Sequence, residues 1–227
     1  MTDTEIVEET IAFVKETLQH AEGGHDWFHI QRVFNNTMLI AKDEKVNVLV
    51  VSLGALLHDI ADSKFHNGDE SLGPQLAKEF LLSLNVPKPT INHVVKIIKH
   101  ISFKSSLTDA KQKKKPFTSK ELQVVQDADR LDALGAIGIA RAFNYGGFKN
   151  RGLHDPSIPP KLNMTKEEYK MSKAPTINHF YEKLLLLADK MNTRTGKKLA
   201  QQRHQFMLNY LEQFHREWNP LMPKGLL

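Results

Sequence analysis

One segment constrains the fold more than any other. Residues 47–59 read NVLVVSLGALLHD. Apolar side chains cover nearly every face of the helix this segment would form. Such a helix cannot lie at a surface, so it must run through the middle of a bundle. It is not a membrane span, because the apolar stretch is short and Asn47, Ser52 and Gly54 interrupt it; a span needs about 20 apolar residues.

The flanking sequence supplies the surrounding helices. Residues 4–21 place Ile6, Ile11, Val14 and Leu18 near helical spacing, with Thr2 and Thr4 as candidate N-caps and Gly23 and Gly24 as a stop. Residues 27–42 turn Val33, Phe34, Met38 and Ile40 inward. Two further amphipathic pieces, 76–84 and 91–101, flank a loop with Pro87 and Pro89. Residues 119–143 read as one helix, with Ser119 as cap and Glu121 in the first turn. Glycines and prolines then make 144–175 a long loop, of a length that is usually functional or mobile. Helices over 175–190 and 195–218 close the chain. No segment sustains two-residue alternation. The expectation is an all-α helical bundle, with residues 1–227 forming a single domain.

Charge and composition exclude several classes. The 227 residues include no cysteine, which removes disulfides, thiolate metal sites and a cysteine nucleophile. Net charge is +5, and residues 104–120 alone account for it with six lysines against Asp109. The rest of the chain balances. A protein that coats nucleic acid is basic over a whole face, so nucleic acid is disfavoured as a partner. The first ten residues, MTDTEIVEET, are acidic where a secretory leader is positive. The chain therefore reads as soluble and cytoplasmic, with no membrane partner.

The buried helix ends in His58 and Asp59, with Asp62 one turn after His58. Ionisable groups in such a setting are costly unless something pairs with them, and a metal ion is one such partner. His29 lies on the preceding helix, and QDADRLDALG, residues 126–135, adds Asp127, Asp129 and Asp132 to another apolar helix. Two imidazoles and two carboxylates make a mixed nitrogen and oxygen site. That donor set suits Mn²⁺, Fe²⁺, Co²⁺, Ni²⁺, Zn²⁺ or, less well, Mg²⁺. An HD pair alone also fits a helix C-terminus stabilised by an imidazolium.

His29, then His58-Asp59, then the Asp of ADRL, within DWFHIQRV, HDIADSKFHNGDE and QDADRLDALG, resembles the signature of HD-domain metal-dependent phosphohydrolases. The likeness is to a bacterial subgroup of about 200 residues and runs over residues 25–141. It implies an all-α HD-type bundle and hydrolysis of nucleotide phosphate bonds. The subgroup points to conversion of a nucleoside triphosphate into a monophosphate and pyrophosphate. A nucleotide monophosphatase or phosphodiesterase is the alternative within the family. A non-catalytic module that binds nucleotide or nucleic acid on the same scaffold is the alternative outside it.

The resemblance implies His29, His58, Asp59 and Asp129 as ligands of one divalent ion. Asp127 is the rival for the last place: helical spacing alone does not choose between them, and the ADRL pattern favours Asp129. Asp62 takes the position of an acid that orients or deprotonates the attacking water, although Asp is one methylene shorter than the commoner Glu. Phosphate oxygens also need cations and donors, and Lys64, His66, His100, Lys104 and Arg130 are the candidates. Asp132 either touches substrate or supports a ligand. The partner implied is a small nucleotide, and a homodimer is compatible with the family.

Three other features have plainer readings. Asp26 reads as the cap of the helix bearing His29, with a pocket-rim role as the alternative. The KQKKK run at 111–115 reads as a solvated loop, with a phosphate-steering rim second and a nucleic-acid contact third. Residues 142–152, AFNYGGFKNRG, are not a P-loop; Tyr145, Phe148, Lys149 and Arg151 could form a lid over a nucleotide.

Overall fold

A computed structural model describes residues 1–21, 24, 26–61, 69, 71–101, 117–165, 168 and 171–220. All regular structure among them is helical, and none of their helices is long and apolar enough to cross a membrane. The chain divides into two compact units, Met1–Asp129 and Arg130–Leu227.

In the first unit the helices are α1 (Asp3–Thr17), α2 (Trp27–Ala41), α3 (Val48–Leu57), α4 (Leu72–Ser83) and α5 (Lys88–His100). The sixth, α6 (Lys120–Asp132), begins in this unit. Sequence-local caps set the starts of several. Thr2 and Glu5 form a reciprocal capping box on α1. Asn47 Oδ1 accepts from Val50 N at 3.0 Å to start α3. Ser119 Oγ accepts from Leu122 N at 3.1 Å to start α6.

Helix α3 is the axis of the unit. Every residue from Leu49 to Leu57 is buried, and α1, α2 and α5 pack around it while α4 packs on α5. Each fully buried Val or Leu contributes roughly 1.5–3 kcal/mol relative to exposure. The apolar collar therefore fixes where the end of α3, with His58 and Asp59, emerges.

The second unit holds α7 (Gly135–Phe148), α8 (Thr176–Glu182), a 3₁₀ helix (Leu184–Lys190) and α9 (Arg194–Trp218). The rings of Phe143, Phe180 and Tyr210 meet in it, with centroids 5.9–6.2 Å apart.

The single helix expected over 119–143 is two helices, and the second continues to Phe148. Leu134 is extended and Gly135 takes φ 71°, a left-handed conformation that favours glycine. Gly138 is needed for a close approach, since a Cβ there would lie 2.3 Å from the Ala133 carbonyl oxygen. The carbonyls freed at the break are not left bare. Arg203 donates to Leu131 O, and Arg141 Nη1 donates to Asp132 O at 3.3 Å. The helix expected over 175–190 is α8 followed by the 3₁₀ helix, with Lys183 at φ −145° between them.

Half-buried His179 on α8 has its pKa pulled down to about 3, by lost hydration first and then by Lys183 and Arg151. Its ordinary value is near 6.5. Below about pH 6.5 the unfolded chain takes up a proton that the folded chain refuses. The stability tied to this residue is full above that pH and is lost as pH falls toward 3. His179→Leu is expected to shallow the fall in Tm between pH 7 and pH 4. An unchanged Tm profile contradicts the assignment.

Candidate metal centre

The residues singled out on three helices come together within the first unit. His29 sits in the first turn of α2, where Asp26 Oδ1 accepts from its backbone N–H at 3.0 Å. Asp26 is thus the cap of this helix. His58 is the C-cap of α3, and Asp59 follows it. One ligand atom from each of His29, His58 and Asp59 lies within 4.8 Å of the others. From α6, Asp129 Oδ1 approaches His29 Nε2 at 3.7 Å and His58 Nε2 at 3.8 Å.

The two Asp129–histidine distances are too long for hydrogen bonds. They suit ligands of one ion. With bonds of about 2.1 Å, two ligands stand roughly 3.0 Å apart at a right angle and roughly 4.2 Å apart when opposite.

The orientation of His58 is the sharpest feature. Its Nδ1 lies 2.8 Å from the Ala55 carbonyl oxygen. A carbonyl only accepts, so the proton of the neutral ring is on Nδ1 and the lone pair is on Nε2. That Nε2 is buried and has no hydrogen-bond partner. A buried acceptor without a partner costs about 1–3 kcal/mol. A divalent cation resolves that cost, and the flanking groups are the donors such an ion takes. The two imidazole rings stand 5.3 Å apart, tilted 68° to one another. The histidine side chains are 2% and 4% exposed, whereas that of Asp129 is 39% exposed. The nitrogen donors are therefore enclosed and the carboxylate side is open to solvent.

The three aspartates of α6 are placed differently. Asp127 is fully buried, and at 100° per residue it projects about 200° around the helix from Asp129. Asp132 is buried in the second unit, where its Oδ2 accepts from Arg141 Nη1 at 2.8 Å. Arg130 Nη1 donates to Lys190 O at 2.6 Å. His100 lies in the last turn of α5, its ring 5.6 Å from that of Phe117. Asp62, Lys64, His66 and Lys104 lie outside the described residues, as do residues 111–115. Tyr145 and Phe148 are exposed on the last turn of α7, 6.5 Å apart, and Lys149 lies 4.8 Å from the Phe148 ring.

Sequence reasoning missed one group: the Ala55 carbonyl is a backbone atom and carries no sequence signal.

Comparison with known proteins gives the class. The family model for the HD domain matches residues 27–134. The chain belongs to the HD-domain superfamily. It is 35% identical over 217 residues to YpgQ of Bacillus subtilis, an uncharacterized protein, with 96% of each chain covered. An HD-superfamily hydrolase from Bacillus thuringiensis has a crystal structure 42% identical to this chain, with a TM-score of 0.76, covering 96% of this chain and 99% of that one. The crystal structure of YpgQ in complex with ADP is 32% identical, with a TM-score of 0.72, covering 99% and 98%.

Proposed function

We propose that this protein is a metal-dependent phosphohydrolase of nucleotides, converting a nucleoside triphosphate to the monophosphate and pyrophosphate. The observation that carries the metal reading is the buried lone pair of His58 Nε2, turned to the same space as the side chains of His29 and Asp129. The ADP bound by YpgQ supports a nucleotide as substrate. The choice of bond rests on the resemblance to the bacterial subgroup.

In this reading His29, His58, Asp59 and Asp129 hold one divalent ion, which offsets charge on a phosphoryl oxygen and acidifies water when bound. The Ala55 carbonyl keeps the His58 proton on Nδ1, so the Nε2 lone pair stays available to the ion. The Asp62 carboxylate accepts the proton of the attacking water. Lys64, His66, His100, Lys104 and Arg130 are the groups proposed to meet phosphate oxygens, and Asp132 to touch substrate or steady a ligand. Exposure of the Asp129 side leaves room for the phosphate chain.

The test is a panel of nucleotides against Mn²⁺, Co²⁺, Ni²⁺, Zn²⁺ and Mg²⁺, reading orthophosphate and pyrophosphate together. Pyrophosphate released in step with monophosphate is expected. Orthophosphate from a monophosphate, with triphosphates untouched, turns the assignment to a phosphatase. Turnover of cyclic or diester substrates alone turns it to a phosphodiesterase. Tight nucleotide binding with no turnover under any of these metals leaves only the non-catalytic module.

A further inference from the structure

The last carbonyls of a helix have no partner within it. At the end of α5 one side chain from another helix takes them. Gln126 Nε2, on α6, lies 3.1 Å from His100 O and 3.4 Å from Ile101 O. An amide nitrogen has two protons, so it can serve both carbonyls at once. Gln126 is three residues before Asp129, which makes the two neighbours on one side of α6.

Apolar burial is itself non-directional, whereas a hydrogen bond fixes a direction. Metal–ligand distances in a well-formed site hold to within about 0.2 Å. The carboxylate that α6 brings to the histidine pair therefore needs a directional restraint on α6. Near the start of α6, His93 Nε2 of α5 meets Ser119 Oγ at 2.9 Å and lies 3.6 Å from Glu121 Oε2. Gln126 is the restraint one turn from the ligand.

We infer that Gln126 is a positioning residue of the metal centre: its amide locks α6 to the end of α5 and holds Asp129 toward His29 and His58. This rests on the reading of those residues as metal ligands. Gln126 touches neither metal nor substrate, and it acts through the helix it shares with Asp129.

The experiment is calorimetric titration of the metal-free full chain with Mn²⁺, and with Zn²⁺ as a second probe, alongside Tm. Gln126→Met keeps the length and removes the donor. It is expected to weaken metal binding by roughly 10-fold, the low end of the range for groups bonded directly to a ligand. Leu81→Ala, a buried truncation on α4, lowers Tm and is expected to leave affinity within about 2-fold, which separates positioning from bulk stability. If Gln126→Met does not fold, Gln126→Asn, one methylene short of both carbonyls, gives the same reading. Uptake by the unsubstituted protein with unchanged affinity in the Gln126 variant overturns this inference alone. No uptake of either metal by the unsubstituted protein overturns the metal reading and this inference with it.

Discussion

Asp59→Ala is expected to lower metal-stimulated turnover by about 10³-fold or more while leaving the helical fold intact. A bound metal supplies several kcal/mol of transition-state stabilisation, and each 1.36 kcal/mol is tenfold in rate. Asp59 lies just past the end of α3 and is only half-buried, so its removal opens no core cavity. The helix behind it keeps Leu53, Leu56 and Leu57 fully buried. His29 and His58 remain, but two neutral nitrogens and one carboxylate bind a divalent ion more weakly than the full set. A second readout follows from linkage. Metal at 100 times its Kd stabilises a folded protein by about 2.7 kcal/mol, so the unsubstituted chain gains Tm with Mn²⁺ and the variant does not. Full metal-stimulated turnover in a folded Asp59→Ala protein removes Asp59 from the centre.

The parts of this molecule that sequence made legible are those in which the signal is local. The all-round apolar character of 47–59 marked the central helix, and Leu49–Leu57 is buried throughout. Asp26, Asn47 and Ser119 were readable as caps or boundaries because a cap acts over three residues. The break at Gly135 was not legible, because a glycine inside an apolar pattern is compatible with an unbroken helix. What ends α6 is partly the guanidinium of Arg203, 72 residues away from Leu131. The meeting of residues 29, 58 and 129 is likewise tertiary. Order along the chain and the family resemblance indicated it, whereas spacing alone left Asp127 and Asp129 as rivals. The proton position on His58 depends on a carbonyl, and carbonyls are the same at every residue.

The paired variants Asp129→Ala and Asp127→Asn are expected to fail in different ways. Asp129 is the aspartate whose Oδ1 stands 3.7 and 3.8 Å from the two imidazole nitrogens, with its side chain 39% exposed. Removing it costs little packing and takes away the carboxylate that faces both histidines. Metal affinity and metal-stimulated turnover are each expected to fall by at least about 10²-fold, with Tm of the metal-free protein nearly unchanged. Asp127 is fully buried, and a buried carboxylate disturbed in its hydrogen bonding costs roughly 1–3 kcal/mol. Asp127→Asn is therefore expected to lower the metal-free Tm by several degrees while metal content per folded chain stays near that of the unsubstituted protein. Metal analysis, Tm and turnover on the same preparations separate the two. If Asp127→Asn loses metal and Asp129→Ala keeps it, the fourth ligand is Asp127. The α6 helix must then turn by about 200° from its present setting to present that side chain.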